Sequence, residues 1–369
     1  MQYKCVDCQR TYPITDNRFR CGCGGMLNLE YEKKRIDFSR TRLSSDHSLW
    51  KYVDALPVLA PQSWKELTLG EGGTPLVKVG PSVWGKADYY MPTLSFKDRG
   101  AVVLVSMMKD LGVTQAIADS SGNAGTAIAA YCARAGIGCD VFVPASTSVK
   151  KIDQIVAHRA IIHKVEGNRE DTARAAIQMV GQTGRFYASH IFNPLFWEGT
   201  KTYLYEIFEQ TQGMLPELLF VPVGNGTLLM GVSIALAELQ DWGYIGRMPR
   251  LIAIQAENCS PLAKAFFQGE TDYLPYATTA TQAEGIASAQ PARGKEILKA
   301  VRANGGSFIT VTESQILAAR AALAAQGIYV EITSAANYAG YLAYMEKYPE
   351  DASLSAIFPL CGAGLKNAH

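Results

Sequence analysis

The sequence lacks the features that mark membrane, secreted or nucleic-acid-binding proteins. It has no run of about 18 consecutive apolar residues, which a membrane-spanning helix requires. Its first residues do not form the charged and then apolar pattern of a signal peptide. The 35 Lys and Arg residues balance 34 Asp and Glu residues, so charge favours neither a nucleic acid nor a membrane surface as partner. We therefore expect a cytoplasmic protein that acts on a small molecule.

Known nucleotide and metal motifs built on glycine or histidine are also missing. The sequence contains neither a P-loop nor the Gly-x-Gly-x-x-Gly fingerprint of dinucleotide-binding folds. Its five histidines do not have the spacing of metal ligands. His158, His163 and His190 are interpreted as surface or loop residues.

The chain has 369 residues, 48% of them hydrophobic, which suits one large or two medium domains. Short apolar runs alternate with helical patterns, which predicts an α/β fold with parallel sheets covered by helices. The predicted strands cover residues 76–79, 115–119, 140–144, 218–223, 251–255 and 356–360. The predicted helices cover about residues 99–111, 124–135, 150–157, 171–181, 199–210 and 228–239.

Half of the eight cysteines lie near the N-terminus, at Cys5, Cys8, Cys21 and Cys23. Their spacing, Cys-x2-Cys followed by Cys-x-Cys, can place four thiolates tetrahedrally around a structural zinc ion. Glycines around the second pair fit a tight metal-binding turn. The alternative is a ribbon with free thiols. A disulfide framework is disfavoured in a large chain without a secretion signal.

Two loops that follow predicted strands are rich in small residues and lead into predicted helices. They are residues 120–126 (Ser-Ser-Gly-Asn-Ala-Gly-Thr) and residues 224–227 (Gly-Asn-Gly-Thr). Backbone N–H groups at helix N-termini bind carboxylate or phosphate groups. Each loop alone is also compatible with a plain structural turn, but the pair favours a phosphorylated ligand or cofactor.

Lys97 lies near the start of a predicted helix, within residues 95–100 (Ser-Phe-Lys-Asp-Arg-Gly). The positive end of the helix dipole and the neighbouring Arg99 disfavour a charged amine there. A lysine destabilised in this way is a good nucleophile for a Schiff base. The alternative is an exposed cluster of charges. Cys361, at the end of the last predicted strand, is interpreted as buried.

Taken together and in this order, these segments resemble the threonine synthase family, within the pyridoxal-phosphate lyases that include serine and threonine dehydratases. The resemblance extends over nearly the whole chain. The matching segments are residues 70–76, 95–100, 120–125, 193–194, 198–202, 224–227, 283–287, 331, 333–336 and 364–366. The resemblance implies the tryptophan-synthase-β-like fold: two open, mostly parallel twisted sheets flanked by helices, with a small zinc-ribbon-like segment at the N-terminus.

The resemblance also implies an organisation into parts. Residues 1–35 form the zinc-ribbon-like segment and residues 36–369 the lyase domain, within which a smaller mobile subdomain spans about residues 91–192. A homodimer is implied as well. The implied cofactor is pyridoxal 5′-phosphate, with a structural zinc ion as a possible addition.

Roles are implied for individual residues of the site. Lys97 would hold the cofactor as a Schiff base and move protons at the substrate Cα, and Asn123 would hydrogen-bond the cofactor's 3′-oxygen. Cys361 would face the pyridine nitrogen, where a neutral thiol makes a weaker electron sink than a carboxylate. The residues implied to hold the 5′-phosphate are Gly224, Asn225, Gly226 and Thr227. The residues implied to bind substrate are Ser120, Ser121 and Thr126, near its carboxylate, and Phe196, in the distal pocket.

Four positions depart from the family's usual pattern. Leu94 stands where glycine is usual, and Ala363 stands where many members have histidine. Phe196 replaces an arginine that helps to bind the substrate's phosphate, and Ile191 replaces a serine. Charge-assisted donors to a phosphate are worth about 1.5–3 kcal/mol each, so these two changes make the distal pocket more apolar. The candidates to compensate are His190, Arg185 and Lys201.

Three functions follow from these observations. The first is that of a carbon–oxygen lyase of the threonine synthase type, which converts O-phosphohomoserine and water to threonine and phosphate. The second is Ser/Thr ammonia-lyase activity or β-replacement on a non-phosphorylated or differently phosphorylated amino acid, which Phe196 and Cys361 favour. The third is a non-catalytic binding or regulatory relative, against which Lys97 and Asn123 argue.

Overall fold

The computed structural model describes residues 1–366, so residues 367–369 of the predicted lyase domain lie outside the described part. No helix in this part is both long enough and apolar enough to pass through a lipid bilayer. The chain divides into two units, Met1–Glu71 with Lys97–Thr200 and Gly72–Phe96 with Lys201–His369. The mobile subdomain at about residues 91–192 stays a prediction.

Strands and helices alternate along most of the described chain. The strands are β1 (Gln2–Cys5), β2 (Thr11–Pro13), β3 (Leu27–Glu30), β4 (Leu76–Gly80), β5 (Val83–Lys86), β6 (Gln115–Ala118), β7 (Gly138–Pro144), β8 (Ile161–Val165), β9 (Phe186–Tyr187), β10 (Leu218–Pro222), β11 (Arg250–Ala256), β12 (Ser307–Val311) and β13 (Ala356–Pro359). The α-helices are α1 (Phe38–Arg42), α2 (Pro61–Leu67), α3 (Lys97–Asp110), α4 (Asn123–Ala135), α5 (Val149–Ala157), α6 (Arg169–Thr183), α7 (Pro194–Thr200), α8 (Thr202–Gln210), α9 (Thr227–Asp241), α10 (Pro261–Phe267), α11 (Gly294–Ala303), α12 (Glu313–Ala324) and α13 (Ile332–Lys347).

Four parallel strands form the main sheet of the first unit, in the order β8-β7-β6-β9. The central strands β6 and β7 are largely buried, as expected of apolar strands covered by helices on both faces. Helix α4 ends at Gly136, whose φ of 72° is the left-handed conformation that stops a helix. Helix α6 begins after Asn168, whose side chain accepts the N–H of Asp171 in a capping box.

Helix α3 is held in place by the helices packed along it, chiefly α4 and α7 and to a lesser extent α2. Every residue from 98 to 108 is buried. An interior packed on all sides leaves little room for a shift. The start of α3, where Lys97 stands, is therefore fixed by the packing of the residues that follow it.

The N-terminal ribbon (residues 1–35) contains a three-stranded antiparallel sheet in the order β2-β1-β3. It packs on the rest of the first unit through aromatic side chains. The ring of Phe19 lies 5.0 Å from that of Tyr187 and 5.7 Å from that of Phe192, centroid to centroid. The Arg20 guanidinium lies 4.7 Å from the centroid of the Phe192 ring. The ribbon therefore contacts the segment that follows β9.

Six strands form the sheet of the second unit, in the order β12-β11-β10-β13-β5-β4. Each neighbouring pair is parallel except β4 and β5 at one edge. A buried ion pair joins β5 to α8, since Lys86 Nζ lies 2.7 Å from Glu206 Oε2. The Gln210 side chain also accepts from this ammonium at 3.0 Å, so the buried charge is hydrogen-bonded as well as paired.

The predicted α/β class, with two mostly parallel sheets, is confirmed. The predicted helix at about 199–210 differs from the observed structure, which has α7 from Pro194 and a separate α8 from Thr202. Proline fits the first position of a helix because its missing N–H has no partner there. The side chain of Asn193 accepts the N–H of Leu195 at 3.1 Å and caps this start.

Candidate active site

Lys97 is the first residue of α3 and is partly buried, while Asp98 and Arg99 behind it are fully buried. The following Gly100 lies against α7, where a Cβ at this position would stand 2.3 Å from the ring of Phe196. The Lys-Asp-Arg-Gly run is therefore not an exposed charge cluster. It is a packed helix start that presents one lysine.

The loop after β6 forms a tight turn into α4. The Ser120 hydroxyl accepts the N–H of Gly122 at 3.3 Å, and Gly122, at the helix start, provides no side-chain cap. A Cβ on Gly125 would lie 1.8 Å from the Ser120 carbonyl oxygen, so only glycine fits there. Because the first N–H groups of a helix have no intrahelical partner, this loop can accept a carboxylate. Asn123 and Thr126 lie in the first turn of α4.

The residues predicted to hold a phosphate form a second glycine turn, in the second unit, between β10 and α9. Gly226 has φ of 75°, and a Cβ there would lie 2.4 Å from Ile297. Gly226 precedes Thr227, the first residue of α9, and provides no side-chain cap. The Asn225 carboxamide oxygen accepts the Ser288 hydroxyl at 3.0 Å, which holds the turn. A turn built on two glycines beside the first N–H groups of a helix fits a phosphate.

Cys361 follows β13 and is fully buried, as predicted. Its thiol lies 3.7 Å from the Asn337 Nδ2 atom. The same nitrogen donates to the Pro359 carbonyl at 2.7 Å, and the Asn337 Oδ1 atom is buried with no hydrogen-bond partner among the described residues. The hydrogen-bond neighbour of the thiol is therefore a neutral amide, and a neutral thiol fits a weak contact to a pyridine nitrogen rather than a full ion pair.

His190 and Phe196 lie side by side in the interior of the first unit. His190 lies in a turn, but its interpretation as a surface residue is wrong, because the side chain is only 5% exposed. Its ring packs edge-on against the fully buried ring of Phe196, with centroids 6.0 Å apart. Burial, together with the positive charges of Lys97 and Arg169, lowers the pKa of His190 well below its ordinary value. The ring is therefore neutral at pH 7.

The two other residues suggested as replacements for the missing arginine have partners of their own. Arg185 pairs with Asp140 at 2.7 Å. Lys201 is buried and pairs with Glu238 at 3.0 Å. Among the residues that the structure describes, no ion pair is formed by the third candidate, His190.

The site residues predicted from the sequence fall into two groups, one in each unit. The first unit contains Lys97, Ser120, Ser121, Asn123, Thr126 and Phe196. The second unit contains Gly224, Asn225, Gly226, Thr227 and Cys361. Within each group, the residues lie at helix starts or strand ends, where α/β folds bind their ligands.

The four ribbon cysteines lie close enough to share one ion. Their sulfur atoms all lie within 4.8 Å of one another, with Cys5 and Cys23 at 3.6 Å and Cys8 and Cys21 at 3.4 Å. A tetrahedral site with Zn–S bonds of about 2.3 Å has sulfur separations of about 3.8 Å. A Cβ on Gly25 would lie 2.8 Å from the Cys5 sulfur. Donor set, spacing and turn all fit zinc.

Two polar groups of the first unit were missed by sequence reasoning. Asp119 is buried after β6, where burial raises the pKa of its carboxyl and the positive charge of Arg169 opposes this rise. Arg169 is the first residue of α6. The sequence predicts Asp119 only as the end of a strand, and no pattern in the sequence singles out Arg169 from other charged residues.

Comparison with known proteins places these features in a family. Residues 67–360 match the family described as "Pyridoxal-phosphate dependent enzyme". The threonine synthase of Methanocaldococcus jannaschii is 32% identical over 383 residues, covering 100% of this chain and 93% of the relative. The threonine synthase of Methanosarcina acetivorans is 33% identical over 349 residues, covering 91% of this chain and 85% of the relative.

Solved structures share the fold at lower identity. Threonine deaminase isoform 2 from Solanum lycopersicum has a TM-score of 0.69 at 20% identity, covering 80% of each chain. Maize serine racemase has a TM-score of 0.68 at 20% identity, covering 79% of this chain and 88% of the other. At such identities the likeness establishes the fold alone.

Proposed function

The chain belongs to the threonine synthase family of pyridoxal-phosphate dependent enzymes, and we propose that it converts O-phosphohomoserine and water to threonine and phosphate. Relatives named threonine synthase match nearly the full chain. The observation that carries the proposal is that one unit contains both Lys97, at a buried helix start, and a loop that can bind a carboxylate. In the overall reaction phosphate leaves Cγ, protons move between carbons, and water adds to Cβ.

Each residue of the first unit has one task in this reaction. Pyridoxal phosphate, when bound, supplies an electron sink for the charge that develops at the substrate Cα. Lys97 would hold the cofactor through its Nζ atom and would move the proton at Cα. Asn123 would donate to the cofactor's 3′-oxygen. The N–H groups of the loop at 120–126, with the Ser120, Ser121 and Thr126 hydroxyls, hold the substrate carboxylate.

The second unit supplies the remaining cofactor contacts. The glycine turn at residues 224–227 would hold the 5′-phosphate through backbone N–H groups, and glycine is required at 226 because a Cβ there would meet Ile297 at 2.4 Å. Cys361 would face the pyridine nitrogen as a neutral thiol. A neutral partner there would make the cofactor a weaker electron sink, so proton movement at the substrate would depend on the position of the Lys97 amine.

Ammonia-lyase activity on serine or threonine, or β-replacement on another amino acid, is the second candidate. The buried ring of Phe196 favours it, because an apolar residue stands where the family has an arginine for the substrate's phosphate. Formation of 2-oxobutanoate from threonine by the purified holoenzyme tests the ammonia-lyase version.

Phosphate release from O-phosphohomoserine, measured with threonine in the same tube, tests the main proposal. We expect equal amounts of the two products from holoenzyme. Lys97→Ala should lower the rate by at least about 100-fold and remove the visible absorbance of the bound cofactor. Lys109→Ala, on the same helix but in an exposed pair with Glu66, is the matched control and should act like wild type. Holoenzyme that retains the absorbance but releases no phosphate contradicts the proposal.

We also propose that Cys5, Cys8, Cys21 and Cys23 hold one structural zinc ion. Four thiolates leave no open position for a reacting water, so the ion has no role in the reaction itself. Elemental analysis should find about one zinc per chain in wild type and none in a Cys8→Ser, Cys23→Ser double variant, whose two positions are exposed. Cys259→Ala, outside the ribbon, should keep the zinc. If wild-type protein purified under reducing conditions contains no zinc, the result would argue for free thiols.

Family resemblance further supports a homodimer located in the cytoplasm. Light scattering on the purified holoenzyme tests the dimer, since its mass should be twice the 40.1 kDa of one chain.

A further inference from the structure

A substrate with a distal phosphate needs a cation at the far end of its pocket, and position 196 does not provide one. Phe196 is 0% exposed and is packed on Gly100 and His190. Charge-assisted donors, above all the forked guanidinium of arginine, are the strongest partners of a phosphate. If the proposed function holds, another residue of the first unit has to supply this donor.

We propose that Arg169 and His190 form the subsite for the distal anionic group of the substrate, with Asp119 orienting the Arg169 guanidinium. This inference rests on the proposed function and names the residues that replace the family's usual arginine. The anionic group is of the phosphate monoester class. Arg169 would contribute two parallel N–H donors and His190 one.

Strand register brings these residues to one edge of the sheet. β6 and β9 are parallel neighbours, with Ile117 opposite Tyr187, and the Ala188 N–H donates to the Ile117 carbonyl at 2.8 Å. Two residues further along each strand, Asp119 and the segment that contains His190 leave the sheet side by side. Helix α6 packs against both strands. Its first residue is Arg169, which follows the carboxyl end of β8 and so lies at the same edge of the sheet.

The charges of these residues act on one another. The pKa of His190 is lowered first by burial and then by the positive charges of Lys97 and Arg169. His190 therefore lies within electrostatic range of both cations, and one of these is the proposed catalytic lysine. Arg169 also acts on the buried carboxyl of Asp119, whose pKa is raised by burial and lowered by that cation.

Two buried polar groups at this edge, the Asp119 carboxyl and the Tyr187 hydroxyl, face each other. Each shifts the pKa of the other, yet neither the Asp119 Oδ1 atom nor the Tyr187 hydroxyl makes a hydrogen bond of normal geometry with a described residue. Buried polar groups are almost always hydrogen-bonded. The Tyr187 hydroxyl can therefore also donate to an anionic group beside the Arg169 guanidinium, while the Asp119 carboxyl is left to orient that guanidinium. The neighbouring Asn168 and Asp171 cap α6 with each other and leave Arg169 out of the cap.

Ligand binding to holoenzyme tests the subsite with two probes. The first probe is 2-amino-5-phosphonopentanoate, which carries a phosphonate at the distal end, and the second is 2-aminopentanoate, which lacks it. Calorimetry should show that Arg169→Gln weakens binding of the phosphonate by about 10- to 100-fold, with binding of 2-aminopentanoate unchanged. Arg169→Lys should recover part of the loss, because it keeps the charge without the fork. Arg185→Gln, in which the lost arginine pairs with Asp140, is the matched control and should bind both probes like wild type.

Three outcomes overturn the inference: Arg169→Gln binds the phosphonate as tightly as wild type, it loses both probes equally, or Arg185→Gln shows the same selective loss. The inference and the proposed function fail separately. Holoenzyme that releases no phosphate from O-phosphohomoserine, while Arg169→Gln still loses only the phosphonate, removes the function and supports the subsite.

Discussion

At the scale of single residues, Leu94 is the clearest point of backbone strain. It adopts φ of 61°, in the left-handed region, where a residue with a Cβ pays about 1–2 kcal/mol. Two hydrogen bonds hold its backbone in this conformation: its N–H donates to the Met91 carbonyl at 2.7 Å, and its carbonyl accepts from the Ala363 N–H at 3.1 Å. The structure therefore gives a physical reason for the glycine that is usual at this place in the family.

We predict that Leu94→Gly raises the free energy of unfolding by about 0.5–1 kcal/mol, after the entropy of the added glycine is subtracted. Urea unfolding, followed by circular dichroism, measures the change. Leu94→Ala is the control, because it removes the same side chain and keeps the strained φ; it should not stabilise the protein. Equal midpoints for the two variants would show that the backbone conformation is not the cause.

Gly125 and Gly181 are both helical glycines, yet alanine should have opposite effects at the two positions. At Gly125 the new Cβ would meet the Ser120 carbonyl at 1.8 Å, whereas at Gly181 nothing lies within 4 Å. Gly125→Ala should lower the free energy of unfolding by about 1–3 kcal/mol. Gly181→Ala should raise it by about 0.5–1 kcal/mol. Thermal unfolding of the pair checks the signs, and a stable Gly125→Ala protein would contradict the crowding argument.

At the scale of elements, the N-terminal ribbon supports the segment that contains His190, and it is also the proposed metal site. Phe19 packs on the rings of Tyr187 and Phe192. The Tyr31 hydroxyl donates to Glu198 in α7 at 2.6 Å. These contacts flank His190, so the ribbon holds the segment that contains His190 and Phe196 from both sides.

We predict that removal of the ribbon metal loosens this segment without unfolding the sheet behind it. After chelation, amide hydrogen exchange of residues 184–193 should accelerate by at least about tenfold, which corresponds to about 1.4 kcal/mol of lost local stability. Exchange in β7, two strands from the segment's own β9, serves as the internal control and should not change. Faster exchange confined to residues 1–35 would mean that the ribbon gives no such support.

At the scale of the whole molecule, charge is nearly balanced, with a net charge of +1 at pH 7 and an isoelectric point near 7.5. Proteins with little net charge repel one another weakly and associate more readily. We therefore predict that solubility in ammonium sulfate passes through a minimum near pH 7.5 and increases towards pH 6 and pH 9. A solubility that rises or falls steadily across this range would contradict the prediction.

Much of the fold could be predicted because buried parallel strands are continuous apolar runs. The predicted strands at 115–119 and 218–223 differ from β6 and β10 by one residue at one end. β9 could not be predicted in this way, because a strand of two residues is too short to form a recognisable apolar run. The start of α7 was missed although Asn193 and Pro194 form a cap and a helix-starting residue, a signal that was present in the sequence.

Site prediction depended on a different kind of information. Lys97 and the glycine turns were found because their motifs are contiguous in the chain. Asp119, Arg169 and His190 are separated by 50 and 21 residues of sequence, and only strand register brings them together. Short-range patterns do not encode such a meeting, so sequence reasoning named Phe196 and His190 for the distal pocket but not Asp119 or Arg169.

The contact between Phe196 and Gly100 has a consequence for protein engineering. A Cβ at position 100 would overlap the ring at position 196, so the residues allowed at one position depend on the residue at the other. Libraries that vary position 100 alone will return almost nothing but glycine, whereas libraries that also offer small residues at 196 open combinations that neither position reaches by itself. A search for new substrates should therefore mutate both codons together.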